Sequence, residues 1–286
     1  MEMITFRNVK GEEIEFYSSP FQLETINGLG DVQADIQTQK AAYQHGVTFL
    51  DALLQQRFMD INFKIRGSNY DEIRALRNKL TRITNPILGL GTLIYKSGDT
   101  VREIKAVSES LPIFPPGNQN RGFGWQKAQM SFVCPDPYFV GGPDEIERYK
   151  LEDFVGNFRF SFHFPVRFAT RGDLKEIIND GDVSVPIKIE FRGPVKAPMI
   201  KNNTTGEFIK VDREIPENYK LIIDTTSGNK RVEIVGPDGV IENAMHYITL
   251  DSTFFELQVG SNTLTFIAAE GNPEVYVEFR KRYSAV

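Results

Sequence analysis

This chain of 286 residues has one cysteine, Cys134, one tryptophan, Trp125, and three histidines, His45, His163 and His246. A lone thiol excludes an internal disulfide framework. The fold must therefore stand on packing alone, which suits assembly in a reducing cytoplasm. The histidines are far apart, and none has a ligand-type neighbour two, three or four residues on, so no metal site is assigned. No apolar run reaches the roughly 18 residues of a membrane span, and no membrane insertion is expected. The opening residues, Met1 to Phe6, have neither a basic n-region nor an apolar h-region, so no signal peptide is expected. Positive charge is not in excess either: the net charge of −5 gives no electrostatic reason for general duplex DNA binding. Residues 1–140 hold 15 basic and 15 acidic side chains, and residues 141–286 the remaining 18 and 23, so the imbalance falls entirely in the second half.

What the chain does have is aromatic and β-branched residues in alternation. Its 22 Phe and 10 Tyr favour half-buried pleated surfaces. Ile4 and Phe6 alternate with polar residues, Lys10-Gly11 turns the chain, and Ile14 and Phe16 alternate again, which predicts a hairpin. Further strands are predicted at 32–37, around Ile61, Phe63 and Ile65, at Leu93–Tyr95, at Val101–Ala106 and at Gln126–Val133. Residues 111–124, rich in Pro, Gly, Asn and Gln, read as a long loop. One amphipathic helix stands out at about 70–84, with Ile73, Leu76, Leu80 and Ile83 on one face. Asn69 is its predicted cap and Glu72 the reciprocal partner, and Asn85-Pro86 ends it. Two prolines one residue apart, Pro135 and Pro137, lead to a predicted boundary near Gly141-Gly142-Pro143. The expected domains are therefore 1–140 and 141–286. The second is almost pure strand and turn, with strands at Ile187–Phe191, Leu221–Ile223, Val232–Val235, Phe255–Val259, Leu264–Ala268 and Val275–Phe279. That spacing without a helical period suggests a β-sandwich of jelly-roll type.

A search for chemistry finds no catalytic, cofactor-binding or metal-ligating constellation. Gly28-Leu29-Gly30-Asp31 and Gly89-Leu90-Gly91 complete neither phosphate-loop pattern and open no helix. Asn179-Asp180-Gly181-Asp182 lacks the later carboxylates of a calcium loop and reads as a turn. Nothing near Cys134 in sequence supplies a base that would make it a nucleophile. No enzyme activity and no cofactor are expected.

The order of features is that of a known family. A hairpin, a β-region, one helix ending in Asn-Pro, and Phe132-Val133-Cys134-Pro135-Asp136-Pro137-Tyr138-Phe139 precede an all-β domain. That domain carries Asn179-Asp180-Gly181-Asp182, Pro198-Met199-Ile200, Thr204-Thr205-Gly206-Glu207, Leu221-Ile222-Ile223-Asp224-Thr225 and Gly260-Ser261-Asn262-Thr263-Leu264. Across nearly its whole length the chain resembles the distal tail proteins of long-tailed siphophages. The resemblance implies a mainly β fold: an N-terminal tail-tube-like β-barrel or sandwich and an outward galectin-like β-sandwich. It also implies a structural virion protein of the phage tail tip or baseplate, assembled in the host cytoplasm. Six copies would form a ring around the DNA channel, between the tail-tube protein and the tail-tip hub protein. In some relatives the outer domain carries receptor-binding proteins. Within that frame Gln33, Asp35, Gln37 and Gln39, on a mostly polar stretch, are candidates for the channel wall or a subunit interface, with an ordinary solvated hairpin as the other reading. A carbohydrate-binding adhesion module is the alternative function, and it would need an aromatic platform for the sugar.

Overall fold

In the computed structural model the described residues are 2–151 and 175–286, which leaves His163 outside them. The chain divides into two compact units, Met1–Gly142 with Tyr283–Val286, and Pro143–Arg282.

The strands of the first unit are β1 (Glu2–Arg7), β2 (Glu13–Phe16), β3 (Phe21–Asn27), β4 (Ala34–Gln39), β5 (Thr48–Leu54), β6 (Arg57–Arg66), β7 (Gly91–Ser97), β8 (Thr100–Ser108), β9 (Arg121–Gly122), β10 (Trp125–Cys134) and β11 (Phe139–Gly141). They form an antiparallel sheet in the order β2-β1-β7-β8-β10-β6-β3, with β9 on β10 and β11 on β8; β4 and β5 stand apart. The predicted hairpin is β1–β2, where Ile4 lies opposite Phe16 and Phe6 opposite Ile14, all four buried. On the long β6–β10 pair Phe63 faces Ala128 and Met59 faces Phe132. Period-2 alternation thus delivers one apolar row per strand to a single core.

Helix α1 (Tyr70–Ile83) closes that core. The Asn69 side chain accepts from the Glu72 N–H at 2.9 Å, as the cap requires. The Glu72 carboxylate reaches back to the Ser68 N–H, one residue earlier than a reciprocal capping box would place it. Ile73, Leu80 and Ile83 are buried, whereas Leu76, expected on the same buried face, is only half-buried. The three buried side chains contribute roughly 5–9 kcal/mol of gross transfer free energy, enough to dock the helix. The Thr84 hydroxyl caps the Leu80 carbonyl, and the Asn85 side chain starts the short turn Pro86–Leu88. The predicted loop 111–124 contains β9, and Ile113 pairs with Gln129.

The second expected domain, 141–286, gives up its last four residues. Tyr283 packs against the first core with the Arg102 guanidinium 3.6 Å from its ring centroid, and Arg57 holds the Ser284 carbonyl. Arg57 is a buried donor that needs acceptors, and the Ser284 carbonyl is one of them.

The second unit has two main antiparallel sheets. One runs in the order Ile146–Leu151, Glu274–Arg280, Lys188–Arg192, Lys220–Asp224, Arg231–Val235, Ile241–Asn243. The other runs Lys175–Asn179, Gly260–Ile267, Met199–Asn202, Phe208–Lys210. Ile189, Phe191, Leu221 and Val277 of the first share one core with Ile177, Ile200, Leu264 and Phe266 of the second, so the sheets form a sandwich. The expected strand at 255–259 is reduced to Glu256–Leu257. Three asparagines from the turn phrases, Asn179, Asn202 and Asn262, are fully buried. Asn179 Nδ2 donates to the Val183 carbonyl, and its Oδ1 accepts from the Gly181 N–H. Asn262 Nδ2 donates to the Gln258 and Gly260 carbonyls. Asn202 Oδ1 accepts from the Thr204 N–H. These side chains pair buried and part-buried backbone groups of tight turns.

Candidate interaction surface

The feature of the first unit that its own fold does not use is the β4–β5 ribbon. It is a two-stranded sheet on its own, and every residue in both strands is exposed. Its pairing sorts the side chains. Ala34 lies opposite Leu54, Ile36 opposite Ala52 and Thr38 opposite Phe49, which makes one apolar face. Asp35 lies opposite Leu53, Gln37 opposite Asp51 and Gln39 opposite Thr48, which makes the other face mostly polar. A bulge between Gln37 and Thr38 lies opposite Leu50, an extra residue on β5. Ile36, Tyr43, Val47, Phe49, Leu50 and Leu53 are all more than half exposed.

Three of the sequence candidates, Asp35, Gln37 and Gln39, therefore share one face of one ribbon. Gln33 sits just before it at the root, where its carbonyl accepts from the Gln55 N–H and its side chain lines a small cleft with Asp31 and Asp60. Inspection of the polar residues missed the apolar partner strand, 48–54. Its composition reads like core, and no local signal marks it as exposed.

The motifs set aside on sequence have structural explanations. A Cβ on Gly28 would stand 2.0 Å from the Phe58 carbonyl oxygen, and on Gly91 2.5 Å from that of Arg7, so both glycines permit close backbone crossings. Cys134 is fully buried, and burial pushes its thiol up to about 12, with Asp136 adding to the shift and Arg57 opposing it. A thiol held neutral in this way is not a nucleophile at physiological pH. Asp180 accepts from Lys281 at 2.8 Å and the same ammonium reaches Glu147, an ion-paired turn. Among the described residues no group of three or more His, Cys, Asp or Glu could hold a metal, and no helix is long and apolar enough to cross a membrane. A sugar platform would suit the outer face of the six-stranded sheet. There the Tyr276 ring is already covered by the Arg148 and Arg192 guanidiniums, at 4.6 and 4.7 Å from its centroid. Those arginines are tied in turn to Glu190.

Comparison with known proteins agrees with this two-unit architecture. Residues 9–134 match the phage tail protein RIFT-related domain, and residues 180–283 match the siphovirus-type tail component, C-terminal domain. A search of curated protein sequences finds no match. Among solved structures, the Dit (gp 19.1) protein of phage SPP1 is 13% identical with a TM-score of 0.72, over 99% of each chain. It is described as a paradigm of the hub adsorption apparatus in phages that infect Gram-positive hosts. A chain of the phage P2 baseplate in its activated conformation with Ca is 8% identical with a TM-score of 0.54, over 100% of this chain and 99% of that one. The same baseplate with Sr gives 8% and 0.57, over the whole of both chains. At these identities the structures speak for the fold. The class that fold and family models together define is a structural protein of a phage tail. More particularly, the chain belongs to the siphovirus-type tail component family, the distal tail proteins of the tail tip and baseplate.

Proposed function

We propose that six copies of this protein close a head-to-tail ring around the DNA channel at the tail tip, joining the tail tube to the hub, with the β4–β5 ribbon of each copy seated on its neighbour. The observation that carries this reading is the exposed apolar face of Ile36, Phe49, Leu54, Ala34 and Ala52. A lone two-stranded hairpin is marginal in water, and a contiguous apolar face of this kind marks an interaction site. Burying the exposed parts of Ile36, Phe49 and Leu54 on that face would contribute roughly 2–5 kcal/mol gross per contact. That reaches only the low end of the ~4–15 kcal/mol cost of association, so the ribbon guides the contact and further buried surface must make it lasting. A projecting arm on one side of a subunit suits a heterologous contact, the kind that closes cyclic assemblies. The opposite ribbon face presents Asp35, Gln37, Gln39 and Asp51. Turned toward the lumen, amides and carboxylates would let a polyanion pass without the counterion release that Lys or Arg contacts bring. The sandwich of the second unit would be the part that carries receptor-binding proteins, as the resemblance to the distal tail proteins implies.

The test is the double substitution Ile36→Glu with Phe49→Glu, read by native mass measurement and by thermal unfolding. The parent is expected to form a hexamer at high concentration. The variant should remain monomeric and, compared at a dilution where the parent is also dissociated, melt within about 2 °C of it, because neither residue belongs to a core. A closed ring of five or seven, or a variant that assembles like the parent, would overturn the reading.

A further inference from the structure

Helix α1 and the loop before β10 line a cleft of about 480 Å³. Its lining includes Tyr70, Arg74, Arg77, Asn118, Arg121 and Trp125. Arg74 and Arg77 stand one turn apart on the helix, and pairing of β9 with β10 brings Arg121 across from them. The Arg77 guanidinium lies over the Phe114 ring at 4.2 Å, which holds it in the cleft wall. Among the described residues none of the three arginines has an ion-pair partner. By contrast Arg7, Arg82, Arg148, Arg192 and Arg231 are each paired with a carboxylate. The nearby carboxylate of Glu72 is turned back to the Ser68 N–H. Three guanidiniums gathered around one concavity repel one another unless an anion joins them.

We propose that this cleft binds a phosphorylated sugar or polyol. Guanidinium forks match the oxygens of a phosphate group, and three of them exceed what a single carboxylate needs. Beside them lie Trp125, with Lys64 Nζ 5.3 Å from its ring centroid, and Tyr70, edge-on to Phe123 at 5.5 Å. The ring surface these contacts leave would pack the carbon face of a sugar or polyol, and Asn118 adds a neutral donor and acceptor. The volume is that of a small-molecule site and would hold a monosaccharide phosphate. All lining residues come from one chain, so the inference stands or falls independently of ring closure.

Trp125 is the only tryptophan in the sequence, so intrinsic fluorescence reports on this cleft directly. Full-length protein would be titrated with glucose 1-phosphate, inorganic phosphate, glucose and a short DNA duplex. The expected result is a saturable change with glucose 1-phosphate in roughly the millimolar range or below, a weaker one with inorganic phosphate and none with glucose. Arg74 and Arg121 are exposed, so the double variant Arg74→Gln with Arg121→Gln should keep its fold, checked by an unchanged melting temperature. It should bind the sugar phosphate at least about ten-fold more weakly. Four outcomes would overturn the proposal: no saturable change, an equal response to glucose, a double variant that binds as the parent does, or a duplex that binds more tightly than the sugar phosphate.

Discussion

Arg57 is the side chain whose loss should be felt most widely in the first unit. It is 1% exposed, yet among the described residues no carboxylate pairs with it; its guanidinium donates instead to three main-chain carbonyls. These are Gly28 at 2.6 Å, Pro137 at 2.8 Å and Ser284 at 2.6 Å, on segments 29, 80 and 227 residues away. The guanidinium carbon also lies 4.7 Å from the Phe139 ring centroid. Burial lowers its pKa from the usual arginine value, while the fields of Cys134 and Asp31 push the other way. Arg57→Met keeps an unbranched apolar stem but removes the guanidinium, with its donors and its volume. The Gly28 carbonyl is buried and those of Pro137 and Ser284 are part-buried; left unpaired they cost up to about 1–3 kcal/mol each. Relief from burying a cation returns several kcal/mol of that. The net is about 2–5 kcal/mol of destabilisation, or roughly 5–15 °C in melting temperature for a unit of this size. Thermal unfolding measures the first effect. Carboxypeptidase digestion measures the second, because the tail at 284–286 loses its clamp and should be trimmed faster than in the parent. A variant that melts within about 2 °C of the parent, with an equally resistant tail, would refute the reasoning.

Two further outcomes follow from the titration behaviour of named groups. The Cys134 thiol should not react with an aromatic disulfide reagent at pH 8 until the protein unfolds, and rapid modification of the native protein would contradict its burial. For the Asp224 carboxyl, burial pushes the pKa up, but hydrogen bonds from Thr226 and from Arg231 at 3.1 Å outweigh it and hold it below the usual value. A depressed carboxyl stabilises the fold above its unfolded pKa of about 4, and that contribution is lost as the pH falls through the folded value. Asp224→Asn should therefore unfold more easily than the parent at neutral pH, and the two melting curves should converge in acid. A gap that stays constant into acid would show that the carboxylate's charge contributes nothing.

The elements that local physics controls were legible in the amino-acid order. Alternation marked the β1–β2 hairpin and strands β6, β7, β8 and β10, and Asn69 and Asn85-Pro86 marked both ends of the helix, because caps and side-chain period act within a few residues. The strands Ile146–Leu151 and Lys175–Asn179 escaped because they are short and depend on partners far along the chain. The phrases around Asn179, Asn202 and Asn262 read as turns; that their amides are buried among backbone groups followed only once two sheets had enclosed them. The candidate surface shows the same division. Gln33, Asp35, Gln37 and Gln39 stood out as polar, but that their ribbon turns an apolar face of Ile36 and Phe49 to the open depends on the pairing with β5 and on the absence of that pair from the core. Likewise the one-turn spacing of Arg74 and Arg77 is written in the helix, while Arg121 joins them only through the pairing of β9 with β10. Sequence determines where a chain can bend, coil and extend, since those preferences are settled between near neighbours. Which polar groups converge and which apolar ones stay uncovered was decided by contacts across scores of residues, as with the 227 that separate Arg57 from Ser284.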